Sequence, residues 1–310
     1  MTRIFCEAPS VAAPNSTGAD DGAAPVSKPA DVRAVVAIGS AQGGVGKTVI
    51  CANVAAALAI AGRKVAVVDA DLNSPGVFGM LGLKSMRRYS PGEEIEPISG
   101  PLGIRAVASS LIAGGEPAAF SFVDSEELPV AGPSHNGARP LEIDWRATIR
   151  RLLAVRFGPL DVMLVDLASG VAQLHYLASL VELAGVVIVT RPSDAAVRAT
   201  HDAVQTVGHM RVPVLGLIEN MLGFNCDSCH TIRPLFPQGA VAELAQSADA
   251  PLLERLPFDP RLADSCERGI LFAREYPDTP LAKHFSAIAQ AIDRAISRHV
   301  TLQPAQVSPT

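Results

Sequence analysis

The apolar residues of this chain fall into short unbroken runs separated by longer stretches with a helical beat. Val35 to Ile38, Val65 to Asp69, Ile104 to Ala108, Val162 to Asp166, Val186 to Thr190, Val214 to Ile218 and Leu252 to Leu256 are continuous and mostly β-branched. A strand with one wet face alternates apolar with polar residues, whereas an unbroken run is what a strand covered on both faces requires. Between most of these runs a 3.6-residue period predicts helices over Val49 to Ala61, Ile143 to Val155, Ala172 to Leu183, Ala195 to His209 and Leu281 to Arg298. Such a βαβα rhythm predicts an α/β fold, a doubly wound, mostly parallel sheet with helices on both faces. No internal repeat interrupts it.

The rhythm fails at the ends and once in the middle. Residues 1–31 are rich in Ala, Pro, Ser and Asp and contain no apolar stretch of the kind a secretory signal needs. They and residues 301–310 have too little apolar surface to offset the entropy of ordering, so both are expected to be disordered tails around one domain over 32–300. From Ile112 to Pro140 the chain is dense in Gly, Pro, Ser and acidic residues, which predicts a mobile surface loop.

Composition narrows the partners. Of 310 residues 48% are hydrophobic and 18% charged, so much of the chain should be buried. A net charge of −5 argues against non-specific nucleic-acid binding, which needs basic surface to displace counterions. No apolar run is long enough to cross a bilayer, and stable membrane association is not expected. Five cysteines, an odd number without an export signal, point to free thiols in a reducing cytoplasm.

The first apolar run leads into Gly39-Ser40-Ala41-Gln42-Gly43-Gly44-Val45-Gly46-Lys47-Thr48, and a helical pattern follows from Val49. Strand, glycine-rich loop and helix form the context of a P-loop NTPase fold. Its glycines let backbone N–H groups turn inward around phosphate oxygens at a helix N-terminus. Residues Gln42, Gly43, Gly44, Val45, Gly46, Lys47, Thr48 and Val49 are therefore the candidate ATP-binding set. Lys47 would reach the β- and γ-phosphates and the Thr48 hydroxyl would ligate Mg²⁺. Ala41 stands where the general pattern has a glycine, which is tolerable if its φ stays negative.

Two later runs end in carboxylates. Val65 to Val68 leads to Asp69-Ala70-Asp71, and Val162 to Val165 leads to Asp166. In a doubly wound sheet the carboxyl ends of strands gather around the phosphate loop. There Asp166 fits a carboxylate holding Mg²⁺ through its water shell, and Asp71 fits a catalytic residue that positions the attacking water or contacts the metal. Either could instead cap the next helix, but beside a P-loop the nucleotide reading is preferred.

Cys226-Asp227-Ser228-Cys229-His230 carries a different chemistry. Cys-x-x-Cys-His is the covalent haem pattern, which needs export. A redox pair belongs at a thioredoxin-like strand-to-helix junction, which this segment does not resemble. Zinc and iron–sulfur sites both call for four ligands. A two-fold dimer would supply four thiolates, because an isologous interface brings the same patch of both subunits together. Cys6, Cys51 and Cys266 have no partner at metal spacing, and Cys51 reads as a small buried apolar residue.

Taken together these residues resemble the Mrp (ApbC-type) iron–sulfur carrier ATPases, of the deviant Walker A group that also holds MinD and ParA. The match runs from about Val35 to Ala295. It includes Gly43 to Thr48, Asp69 to Asp71 with Ser74-Pro75, and Leu160-Asp161 through Asp166. Beyond these come Val212 to Met221 with Glu219-Asn220-Met221, the cysteine pair, Phe236 and Gly239. Leu256 to Pro260 and Arg268-Gly269 close it. The cysteine pair beside Glu-Asn-Met selects the carrier branch. The resemblance implies an ATP-dependent, cytoplasmic homodimer that bridges a [4Fe–4S] cluster between Cys226 and Cys229 of both subunits and passes it to apo iron–sulfur proteins. It also implies that Asn220 contacts the adenine and that Pro257 to Asp259, including Asp259 itself, line its pocket.

Two positions depart from the family. A lysine that reaches the partner's nucleotide is replaced by Gln42, and a glycine-rich segment ending in an acid reads Ala168 to Gln173. Both changes remove charge near the γ-phosphate, with Arg191 as a possible partial substitute. Slow ATP hydrolysis is therefore expected, since a trans-acting cation such as an arginine finger contributes about 10³–10⁵ in rate. An alternative reading is a dimerising switch or scaffold of the MinD/ParA type that binds ATP and barely hydrolyses it. A membrane-cycling role is disfavoured because residues 301–310 are too short and polar for an amphipathic anchor.

Overall fold

The computed structural model describes residues 31–72, 74–84, 87–90, 92–112, 145–225, 231–236 and 240–302. In chain order its elements are β1 (Val35–Gly39), α1 (Lys47–Ile60), β2 (Val65–Asp69), α2 (Val77–Met80), β3 (Ile98–Ser99), β4 (Arg105–Ala108) and α3 (Trp145–Leu153). They continue with β5 (Val162–Asp166), α4 (Ala172–Leu180), β6 (Gly185–Thr190), α5 (Asp194–His209), β7 (Val214–Glu219), β8 (Phe224–Asn225) and β9 (Ile232–Arg233). The last are α6 (Val241–Ser247), β10 (Leu252–Arg255), α7 (Pro260–Glu267), α8 (Phe272–Glu275) and α9 (Pro280–Leu302). One sheet runs β10-β7-β6-β1-β5-β2-β4-β3, and β8 with β9 forms a separate hairpin. Every pair in the large sheet is parallel except β3 with β4.

The unbroken apolar runs are explained by the two faces they serve. Val36, Ile38, Val67, Leu164, Val187 and Val189 enter one core with α1, α8 and α9. Their neighbours Val35, Ala37, Val68, Met163, Val165 and Val186 enter the other, beneath α3, α4, α5 and α6. Period-2 geometry sends successive side chains to opposite faces, so a doubly covered strand must be apolar at every position. Helix α1 is buried at every residue from Ile50 to Leu58. It lies between the sheet and the stripe Leu281, Phe285, Ile288, Ile292 and Ile296 of α9, and its alanines permit that close packing. Asn53 fits inside because its amide donates to the Val49 carbonyl at 2.9 Å. Cys51 is fully buried, and burial first, then the Asp166 and Asp69 charges, push its thiol well above the ordinary range.

The doubly wound sheet and its seven long strands thus match the pattern within a residue or two at each end. The pattern missed β3, the hairpin strands and the short helices α2, α6, α7 and α8, because two to eight residues hold too few periods to read. Helix α9 also passes the expected tail boundary by two residues, ending at Leu302 shortly before Pro304. The expected loop lies outside the described residues from position 113 onward.

Candidate nucleotide site and the adjoining hairpin

Because β1, β2, β5, β6 and β7 are parallel, their carboxyl ends open on the same edge, where ligands of open α/β sheets bind. The loop from Ser40 to Gly46 crosses that edge from β1 to α1. Its left-handed residues are Gly44 (φ 72°) and Gly46 (φ 86°), and Ala41 is not among the described non-glycine residues with positive φ. Gly46 is constrained twice. Its φ disfavours any side chain, and a Cβ there would lie 2.4 Å from Asn220 Nδ2.

Lys47 is 7% exposed and sits between two carboxylates from neighbouring strands. Its Nζ donates to Asp166 Oδ1 at 3.3 Å and lies 3.7 Å from Asp71 Oδ2. Asp71 Oδ1 accepts the Ser74 N–H at 3.2 Å. Burial pushes the Asp166 carboxyl up, while Lys47 and a hydrogen bond from the Thr48 side chain pull it down. Asp166 Oδ2 is buried and has no hydrogen-bond partner. An orphaned carboxylate oxygen beside a Thr hydroxyl suits a hydrated divalent cation, so Thr48 and Asp166 fit the magnesium expectation. Asp69, to which the sequence assigned no role, is wholly buried and faces Asp166 in strand register. Burial and the Asp166 charge raise it to about 8, against the pull of N–H bonds from Val77 and Asp71. Burial thus disfavours its charged form.

The segment after β5 is stitched to the loop. Gly170 N–H donates to the Ser40 carbonyl at 2.7 Å, and the Ala168 N–H donates to Gln173 Oε1 at 2.7 Å. Gln173 is thus an uncharged, buried acceptor that shapes this turn. Gln42 Nε2 donates to the Ala195 carbonyl of α5 at 3.3 Å, within its own chain. The Arg191 guanidinium stacks over the Phe236 ring, 5.2 Å from its centroid.

Asn220 joins the site through the loop itself. Its Nδ2 donates to the Val45 carbonyl at 2.8 Å, and its backbone N–H donates to Thr190 at 2.8 Å. Pro257 and Asp259 lie on the segment that follows β10, held alongside by Leu222 N–H to Leu256 O and Phe258 N–H to Gly223 O. The Asp259 carboxylate caps α7 through the Arg261 N–H at 2.9 Å and pairs with the Arg261 guanidinium at 2.7 Å. Just past Asn220 the chain enters β8, which pairs antiparallel with β9. Cys226 and Cys229 fall in the connection between these strands, outside the described residues. Ile232 and Leu235 are 51% and 45% exposed on this hairpin, and Phe258 beside it is 37% exposed.

A family model described as the NUBPL iron-transfer P-loop NTPase, in the ParA group, matches residues 31–121 and 144–293. The chain belongs to this family. An iron–sulfur cluster carrier protein of Aquifex aeolicus is 32% identical over 87% of this chain and 70% of its own length. The cytosolic Fe-S cluster assembly factor NUBP2 of Homo sapiens is 31% identical over 85% of this chain and 93% of its own. Among solved structures, a nucleotide-binding protein of Archaeoglobus fulgidus in complex with ADP is 25% identical, with a TM-score of 0.63 over 83% of this chain and 94% of that one. The MinC:MinD cell division complex of Aquifex aeolicus, 20% identical with a TM-score of 0.60 over 84% and 95% of the respective chains, shares the fold. No described helix is long and apolar enough to cross a membrane.

Proposed function

We propose that this chain is a cytoplasmic, ATP-binding iron–sulfur cluster carrier. Two copies hold a [4Fe–4S] cluster, as cargo for apo iron–sulfur proteins, on the four thiolates of paired Cys226 and Cys229. The observation that carries this reading is the route of the chain: the hairpin bearing the cysteine pair leaves the sheet at Asn220, whose side chain is bonded to the phosphate loop. Cargo and nucleotide thus share one edge of the protein, in the domain over 32–300.

In this reading Lys47 and the backbone N–H groups of Gln42 to Val49 hold the phosphates. Thr48 and Asp166 hold Mg²⁺, which when bound neutralises charge developing on the phosphoryl oxygens. Asp71 orients the attacking water, with its carboxylate fixed by Lys47 and the Ser74 N–H. Asn220, Pro257 and Asp259 border the base. Gln42 brings no charge to the opposing subunit's nucleotide, and one of its two amide N–H donors already bonds the Ala195 carbonyl. Turnover is accordingly slow, with binding intact. Anaerobic reconstitution tests the cargo: the protein should gain the broad visible absorption of an iron–sulfur cluster, and Cys226→Ala with Cys229→Ala should abolish it. Unchanged absorption in that double variant would sink the proposal.

A further inference from the structure

The hairpin is tied to the nucleotide end of the sheet by two separate contacts, one for each of its strands. The first runs along the chain from the phosphate loop. Val45 O is held by Asn220 Nδ2, and the next residue, Met221, adopts a left-handed φ of 59° that costs a side-chain-bearing residue free energy. Leu222 and Phe258 N–H groups then bond across to Leu256 and Gly223, and Phe224 bridges Phe258 as β8 begins. Only five residues separate Asn220 from Cys226. The second contact comes from the other side. Phe236, three residues after β9, lies under the guanidinium of Arg191. Arg191 directly follows Thr190, whose carbonyl accepts the Asn220 N–H.

Both ties therefore converge on Asn220 and the end of β6, beside the loop that grips phosphate. A strained turn kept in place by hydrogen bonds on both sides is what a transmitting element needs, because it holds one geometry only while its anchors hold. We infer that Asn220 and Phe236 are positioning residues that couple the phosphate loop to the β8–β9 hairpin, so that a filled loop restrains the hairpin and an empty one releases it. This rests on the nucleotide and carrier readings above and adds to them a direction of control: nucleotide state sets how firmly the cargo segment is held. By linkage, ordering the hairpin must favour nucleotide to the same degree.

Hydrogen–deuterium exchange of the full chain without iron, with and without saturating ADP and magnesium, tests this directly. In the wild type, nucleotide should slow exchange of amides in 40–48 and also, by about threefold or more, in 222–225 and 231–236. Phe236→Leu keeps apolar bulk and loses the ring face; by the same linkage its nucleotide affinity should fall by no more than about threefold, so saturation is still reached, yet the slowing over 231–236 should vanish. Asn220→Asp, measured at nucleotide concentrations that saturate it, should lose the slowing over 222–225; if it does not fold, Phe236→Leu decides alone. A wild-type hairpin indifferent to nucleotide while residues 40–48 respond would overturn the coupling, as would a full hairpin response in Phe236→Leu. An unresponsive 40–48 would overturn the nucleotide reading beneath it. Iron takes no part in the readout, so a failure here leaves the carrier reading to its own test.

Discussion

The phosphate loop and the β8–β9 hairpin leave adjacent parts of one sheet edge, yet they are built in opposite ways. The loop lies on a buried helix, its lysine is locked between Asp71 and Asp166, and its carbonyls are bonded to Asn220 and Gly170. Among the described residues the hairpin pairs two residues on each strand, and it leaves Ile232 and Leu235 half exposed. Burial and multiple bonds fix the geometry of a site that must bind the same ligand each time. Exposed apolar side chains suit the cargo-presenting role proposed for this segment.

The contrast can be broken from the rigid side first. Lys47→Ala strips the cation from two buried carboxylates, and breaking such a pair costs up to about 3–5 kcal/mol. Chemical denaturation should register that loss, and phosphate release should fall to background. Gly46→Ala should cost about 1–3 kcal/mol from its left-handed backbone alone, and its Cβ would also collide with the Asn220 amide. Its urea midpoint should drop along with nucleotide affinity. Gln42→Lys restores a cation without touching the core. Steady-state hydrolysis should rise about tenfold or more, equivalent to roughly 1.4 kcal/mol, with an unchanged melting temperature. An unaltered rate would contradict the proposal that Gln42 slows turnover. On the hairpin, Ile232→Ser and Leu235→Ser should shift stability by no more than about 0.5 kcal/mol, while cluster transfer to an apo-protein slows. A large stability loss there would mean that the hairpin is as tightly built as the loop.

The sheet was legible because its strands are covered on both faces, which forces unbroken apolar runs such as Val162 to Val165. The loop, Lys47, Asp71 and Asp166 were legible because glycine placement and strand-end carboxylates answer to local chemistry. Other features depend on long-range contacts that no local pattern encodes. Arg191 reads as a spare cation for phosphate, and the fold sets it on Phe236. The link from Asn220 to Val45 spans 175 positions. Asp69 could have been suspected from its place at a strand end, two residues before Asp71, but its raised pKa comes first from burial and then from Asp166, which the neighbouring strand brings alongside.

In the proposed function, one edge of this protein serves a nucleotide and a shared cluster together. Iron and sulfide analysis of anaerobically reconstituted protein, separated by mass in the presence of nucleotide, tests it most directly. About four iron and four sulfide ions per dimer are expected, both lost in Cys226→Ala with Cys229→Ala while the nucleotide-dependent dimer remains. Iron retained by that double variant, or one metal ion per monomer without sulfide, would contradict it.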